Sequence, residues 1–378
     1  DYMPELINWV GMDDLKCCSV GEVIWGVPNV KEHCNPPIIT MRKDIIDALG
    51  IDMSTVKTLD DLTEVFAKVQ EAYPDMVIFS GSSTSGLGDD GDIGYYCDTL
   101  NDELGVLDNY GDNLTVVNEF ETENWKSLVY KAREWYEKGY ISKDMATSTD
   151  SGSALFMGGN LFAYQENGKP DTKAEKYQQY GMEVEVFWIN DPMRTTMNVN
   201  GLCYSVSGLT KNPERAVELL NWMFSDPEAN DLMNWGLKDV DWVESSENSK
   251  LASFPEGKSG ADVAYHLGWG WALPNQFAAH LWDNNDPDLY EVYQKWYETA
   301  HVSKAFGFSF NSDPVAAEVA ACTAVKDQYL PGLCCGTIED VEAGIKEFND
   351  ALYAAGLQTI IDEKQKQLNE WAKANGVE

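Results

Sequence analysis

Hydrophobic and polar positions follow two different periods along this chain of 378 residues. A period near 3.6 marks helices, and short apolar or alternating runs mark strands. Leu62, Val65, Phe66 and Val69 fall on one helical face. Thr58-Leu59-Asp60-Asp61 precedes them as a capping box, with Asp61 where the box prefers Glu, and Tyr73-Pro74 stops the helix. Residues 121–138 repeat the pattern, with Trp125, Leu128, Val129, Ala132 and Trp135 on the apolar side and Gly139 closing it. Pro213 and Pro227 stand at first helical positions behind Asn212 and Asp226. A short helix over residues 44–49 ends at Gly50. Strands are expected over residues 22–30 (EVIWGVPNV), 76–79, 161–165, 183–189 and 198–206. Near the end, residues 307–310 (GFSF) read as a strand entering a helix that starts at Pro314. Tyr329-Leu330-Pro331, a turn at Gly336-Thr337 and one final amphipathic helix through Ala355-Gly356-Leu357 follow. The alternation of helix and strand signals indicates an α/β chain, with no solenoid repeat and no low-complexity tail.

Composition adds size and sign. Hydrophobic residues at 44% and charged residues at 24% suffice for a packed core and two domains. Lys and Arg number 27 against 63 Asp and Glu, a net charge of −36. A field of that sign repels nucleic-acid phosphates and anionic lipid head groups, and it keeps a chain soluble. It also disfavours a strongly anionic ligand unless local Lys or Arg override it. No apolar run is long enough to span a bilayer, and Asp1-Tyr2-Met3-Pro4 is not the opening of a signal peptide.

Eight cysteines include the adjacent pairs Cys17-Cys18 and Cys334-Cys335, and no CxxC occurs. Adjacent cysteines seldom bond to each other and lack zinc-site spacing. Most read as small, partly buried apolar side chains. One disulfide, from Cys17 or Cys18 to Cys34, is compatible with an oxidising exterior, and the sequence leaves it open.

Catalytic and cofactor motifs are weak. Gly86-Leu87-Gly88-Asp89-Asp90-Gly91 matches GxGxxG, but no helix pattern begins there and two aspartates would face a pyrophosphate. It reads as a flexible loop. Asp89, Asp90 and Asp92, and Asp283-Asn284-Asn285-Asp286, miss EF-hand spacing and read as solvated turns. His33, His266, His280 and His301 show no HExxH or HxH pattern, and there is no GxSxG and no P-loop. No metal, no cofactor and no catalytic residue is expected.

Aromatic residues carry the direct argument. Sugar rings present C–H faces that pack on flat aromatic surfaces, and their hydroxyls need amide and carboxylate partners at the rim. Trp269-Gly270-Trp271 followed by Asn275-Gln276 offers both kinds of group, as does Tyr164-Gln165-Glu166. Tyr95 beside Asp98, and Trp188 before Asn190, repeat the combination. Trp25 and Trp242 are the next candidates. Core packing is the competing reading for each, and Trp125, Trp135 and Trp222, on helical apolar faces, are assigned to the core.

Several segments in order resemble a known family. Trp25-Gly26-Val27-Pro28-Asn29, Met41-Arg42-Lys43-Asp44, Leu49-Gly50-Ile51, Lys138-Gly139-Tyr140-Ile141 and Gly168-Lys169-Pro170 are among them. Lys211-Asn212-Pro213-Glu214-Arg215-Ala216 and Asn221-Trp222-Met223-Phe224-Ser225-Asp226-Pro227-Glu228 are the densest. Residues 300–371 add the C-terminal pattern. Together they resemble the LplA-like extracellular solute-binding lipoproteins, family 1 sugar-binding subunits of ABC importers with a DUF3502-type C-terminal region. Gly236-Leu237-Lys238-Asp239-Val240-Asp241-Trp242 departs from that family's Gly-Ile-Glu-Gly-Lys-His-Tyr, which implies altered specificity if the loop touches ligand.

The resemblance implies a two-lobed periplasmic-binding-protein-like fold of class II, with lobes discontinuous in sequence and the ligand in a cleft between them. Residues 1–38 and 205–308 would form the first lobe, residues 39–204 and 309–378 the second. Family members open with βαβ units before the segment that Asp1 resembles, so the first lobe is expected to be incomplete. The implied function is non-enzymatic: capture of a carbohydrate, a neutral oligosaccharide, and delivery to ABC importer permease subunits. The family places such a protein outside the cell, lipid-anchored at the surface through the N-terminal segment that this chain does not show. Nucleic acid is not an expected partner. A carbohydrate-active hydrolase and a peptide- or lipid-binding protein stand as alternatives.

Overall fold

The computed structural model describes residues 2–21, 23–81, 86–88, 94–148 and 152–377. The chain divides into two bodies. One holds Asp1–Cys34, Arg194–Ala300 and Phe306–Ser309; the other holds Asn35–Met193, His301–Ala305 and Phe310–Glu378. The crossings expected at residues 38, 204 and 308 therefore lie at Cys34, Met193 and Ser309, with a further excursion at His301–Ala305. Local pairing sets these positions. Pro37–Arg42 pairs along its length with Leu161–Asn167 and Val184–Trp188, so the chain has already crossed at Asn35. On the return, Asn200 donates its side-chain amide to the Cys17 carbonyl at 3.1 Å, which places residues 194–204 in the first body.

The second body is built on a four-stranded sheet in the order Val77–Ser80, Leu161–Asn167, Pro37–Arg42, Val184–Trp188. The first pair is parallel and the other two are antiparallel. The central strand Pro37–Arg42 is buried along nearly its whole length, as expected for a strand covered on both faces. Helix Leu59–Ala72 carries both halves of the predicted capping box, Thr58 to the Asp61 amide and Asp61 back to the Thr58 amide. Its Phe66 ring lies 4.8 Å from Trp135 of helix Glu123–Glu137 and 6.2 Å from Phe79 of the sheet. The Trp135 indole N–H, buried here, donates to the Thr63 hydroxyl at 2.8 Å, so no polar atom of the indole is left unmet.

Helices Ala316–Cys334, Val341–Ala355 and Leu357–Asn375 complete this body. The single final helix expected from sequence is two helices. Gly356 adopts φ +108°, a left-handed conformation that ends one helix and starts the next. Lys364 on the last helix is fully buried. Its ammonium pairs with Asp102 and donates to the Gly105 carbonyl at 3.0 Å, which meets the charge inside the protein. The loop it enters is unusual: Tyr96, Leu100, Asn101 and Glu103 all have positive φ. A tethered cation at its centre holds that backbone together.

The first body has short strands among its described residues. Val243–Glu244, Leu251–Ser253 and Leu281–Trp282 form one three-stranded sheet, and Ser19–Val20 pairs with Val23–Ile24. Helix Pro4–Val10 packs on helix Pro213–Ser225, and the Asn221 side chain accepts the amides of Glu5 and Leu6, each at 3.1 Å. Two apolar clusters form the interior, one around Leu6, Leu15, Val27 and Phe224, the other around Trp235, Trp242 and Trp282.

Three sequence expectations are corrected here. Residues 198–206 are a helix, Thr196–Asn200, and then a two-residue strand, Cys203–Tyr204. Thr195 and Asn198 form a reciprocal capping box that wins over the apolar run. Residues 307–310 form no strand. Trp222, assigned to the core, is half exposed, and its indole bonds Asp226 at 3.1 Å instead. No described helix is long and apolar enough to cross a membrane.

Candidate ligand-binding site

Trp269 is the N-cap of a 3-10 turn, Gly270–Ala272, in the first body, and Trp271 is its middle residue. Their rings stack with centroids 6.1 Å apart and planes at 22°. They are 56% and 46% exposed, so two large apolar rings face solvent side by side. Such exposure costs free energy that burial would recover, on the order of 25 cal/mol per Å2.

The turn beneath them is anchored from several directions. The Asn29 side chain donates to the Trp271 carbonyl at 2.6 Å, and the Tyr204 hydroxyl donates to the Ala272 carbonyl at 2.8 Å. Val30 N–H bonds the Pro274 carbonyl at 2.8 Å, and Gln276 N–H bonds the Val30 carbonyl at 3.0 Å. Under the turn, the buried Gln276 amide donates to the buried Glu32 carboxylate. Gly270 sits directly over it; a Cβ there would lie 3.2 Å from the Gln276 side-chain oxygen. On the other side, the Asn234 backbone carbonyl accepts the amides of Leu267 and Gly268 at 2.9 and 3.4 Å, and the Tyr265 hydroxyl donates to the Met233 carbonyl at 2.6 Å. The exposed pair is thus held on a rigid base, as a preorganised binding surface requires.

The other predicted residues distribute unevenly. Trp25, also in the first body, is 68% exposed beside the Val23–Ile24 strand. Trp188 ends a strand of the second body and is partly exposed, its ring over Gly168. Asn275 is fully buried, donating to the Phe224 carbonyl at 2.8 Å and capping the turn Gln276–Ala278. Gln276 is spent on Glu32. Trp242 is core, its indole bonded to the Gly236 carbonyl at 3.2 Å, so the altered 236–242 loop buries its aromatic. Tyr95, Tyr164 and Gln165 are buried in the second body. Burial and the nearby Glu166 carboxylate push the Tyr164 phenol far up, and its hydroxyl is bonded to Glu166 at 2.8 Å and to Tyr180 at 2.7 Å. Glu166 meets Lys176 at 2.5 Å and Thr40, an internal ion pair. Position in the sheet explains the difference: residues 161–167 form a strand paired on both sides, and burial does not alternate along it, so the whole run Leu161–Gln165 is buried.

Asn29, Glu32, Tyr204 and Asn234 support the exposed pair and were missed as site residues. Asn29 was visible only as the end of the Trp25-Gly26-Val27-Pro28-Asn29 motif; the others carried no local signal. The GxGxxG match is also explained in part. A Cβ on Gly86 would come 2.1 Å from the Cys334 carbonyl oxygen, so that glycine serves close packing. Asp89, Asp90 and Asp92 lie outside the described residues. In the 283–286 turn, the Asp286 side chain accepts the Asp288 amide at 2.9 Å. Among the described residues no group of three or more His, Cys, Asp or Glu could hold a metal ion.

Comparison with known proteins places the chain in a family. A family model described as bacterial extracellular solute-binding protein matches residues 24–250, more than half of the chain. The chain belongs to the bacterial extracellular solute-binding proteins. This is a non-catalytic family. A second model, a domain of unknown function (DUF3502), matches residues 304–373. A carbohydrate ABC transporter substrate-binding protein of Streptococcus pneumoniae is 25% identical over 362 residues, 95% of this chain and 72% of that one. The solved N-glycan transport solute binding protein (NgtS) from Streptococcus pneumoniae superposes with a TM-score of 0.86 at 23% identity, covering 99% of this chain and 81% of that chain. An EF-hand mutant of the S. pneumoniae ABC-transporter substrate binding protein FusA, in complex with fructo-nystose, gives 0.62 at 17% identity, covering 99% and 82%. The fold is therefore the α/β periplasmic solute-binding protein fold over nearly the whole chain.

Proposed function

We propose that this protein is the carbohydrate-binding subunit of an ABC importer, and that it takes a neutral oligosaccharide on the Trp269–Trp271 pair. The observation that carries the reading is the exposed, stacked and anchored indole pair. Two near-parallel indole rings offer apolar surface to pyranose rings, whose C–H faces are apolar while their hydroxyls stay in water. The relatives support a sugar: NgtS is known in complex with Man1GlcNAc and Man5GlcNAc, and FusA with kestose. The net charge of −36 favours a neutral sugar over an acidic one. Trp25, exposed in the same body, is a further contact candidate. Delivery to permease subunits follows from the same reading.

The test is a thermal-shift screen across oligosaccharides, followed by calorimetry on the best binder. A ligand that binds only the native state raises its apparent stability. Trp269→Ala and Trp271→Ala should each weaken binding by about 1–3 kcal/mol, the scale of a buried aromatic contact. The sugar should be recovered uncleaved. A double alanine variant that binds as tightly as the unsubstituted protein overturns the site, and a screen with no neutral sugar among the hits overturns the ligand class.

A further inference from the structure

We propose that Cys18 and Cys203 form a redox-active pair that closes to a disulfide in an oxidising exterior. Their sulfurs are 3.2 Å apart, in direct contact. Both backbones are fixed in place. Cys18 follows helix Met12–Cys17 and accepts the Trp25 amide at 3.0 Å across the base of the Ser19–Val20/Val23–Ile24 hairpin. Trp25 in turn accepts the Ser205 hydroxyl at 2.8 Å. Val27–Pro28 pairs antiparallel with Cys203–Tyr204, with Pro28 opposite Cys203. Gly26 lies between; a Cβ there would come 2.9 Å from the Cys203 Cβ, so the glycine is what lets the hairpin stem approach Cys203. The pair is therefore positioned by the ladder on both sides.

The chemistry has a direction. Cys203 is exposed and Cys18 is buried behind it. The hydrogen bond from Cys18 holds the Cys203 thiol below the ordinary range, which makes Cys203 the thiolate that an external oxidant meets. Cys18, bonded to Cys203 and buried, is held above the ordinary range. Cys203 thiolate attacks a small-molecule disulfide such as oxidised glutathione, forming a mixed disulfide and releasing one thiolate. Cys18 then gives up its proton to solvent, attacks the Cys203 sulfur and expels the second thiol. The protein loses two protons and two electrons, and the external disulfide becomes two thiols. Of the other two cysteines in the expected alternatives, Cys17 donates its thiol to the Asp13 carbonyl at 3.5 Å, and both Cys17 and Cys34 are buried away from an external oxidant.

The pair is 185 residues apart in sequence, an interval that contains the excursion through residues 35–193 of the second body. A cross-link would tie the N-terminal segment of the first body to the segment that returns to it. It would restrict the unfolded chain and fix the hairpin that presents Trp25.

The experiment treats the native full chain with oxidised glutathione, then alkylates it in denaturant and maps the peptides by mass spectrometry. Fragmentation between Cys17 and Cys18 separates those two neighbours. The expected result is one Cys18–Cys203 link, an intact mass lower by two hydrogens, and a melting temperature several degrees above that of the reduced protein. Cys203→Ser, at an exposed position, should melt like the reduced protein and lose both the link and the shift. A Cys203 that stops at the glutathione adduct while Cys18 is alkylated overturns the proposal. So does a link joining any other pair, or an unchanged mass.

Discussion

His280 and His266 set opposing pH dependences in the first body. His280 Nδ1 lies 2.7 Å from Asp231 Oδ2, and this hydrogen bond raises its pKa. A raised folded-state value means that the stabilisation is full below the unfolded value of about 6.5 and is lost as pH rises through the folded value. His266 is lowered by burial among Trp235, Phe254 and Trp282. Its contribution has the reverse sign: present above about 6.5 and lost as pH falls. His280→Gln should therefore lower stability by about 1–3 kcal/mol at pH 5, the scale of a hydrogen bond to a charged group. The loss at pH 9 should be smaller. Urea midpoints at the two pH values measure this, and equal losses would show that the Asp231 contact is not a charge-assisted one.

At the scale of elements, close approach rather than propensity fixes the packing of the C-terminal helices. Gly336 follows helix Ala316–Cys334 at φ +72°, and a Cβ there would come 2.3 Å from the Ala132 carbonyl oxygen. The Gly336 carbonyl also accepts from Arg133 at 3.1 Å. Gly336→Ala combines a left-handed conformation with an overpacked contact, so it should cost about 3 kcal/mol. Chemical denaturation of the variant checks this; a loss below about 0.5 kcal/mol, the range of an ordinary surface change, would mean that the two helices separate freely. Sequence announced the Gly336 turn and the Thr58 capping box because both are local. It did not announce the break at Gly356, since apolar residues keep their helical spacing on both sides of that glycine.

For the whole molecule, charge decides what does not bind. Sixty-three acidic residues against 27 basic ones leave −36 spread over the chain. Neither nucleic acid nor anionic vesicles should retain this protein even at low salt, where screening is weakest. Gel-shift and vesicle co-sedimentation at low ionic strength measure this, and binding that weakens as salt is added would contradict it. The same charge does not oppose a neutral sugar, which is why the proposed ligand and the excluded ones are consistent.

The sequence by itself determined the α/β class, most helix boundaries and the family, because capping residues, proline positions and apolar periods act within a few neighbours. It also singled out Trp269-Gly270-Trp271 as a pair of aromatics separated by a glycine. Only the tertiary structure decided which aromatics face solvent. Tyr164 and Trp242 look like loop or strand-end binders in one dimension, and both are buried by elements far away in sequence. Asn275 and Gln276 have the amides a sugar would want, yet Phe224 and Glu32 claim them. The pairing of Cys18 with Cys203 was equally hidden, since a contact across 185 residues is set by a ladder and leaves no periodic trace. Exposure and long-range contact are properties of packing, and packing is where the chain's local preferences are overruled.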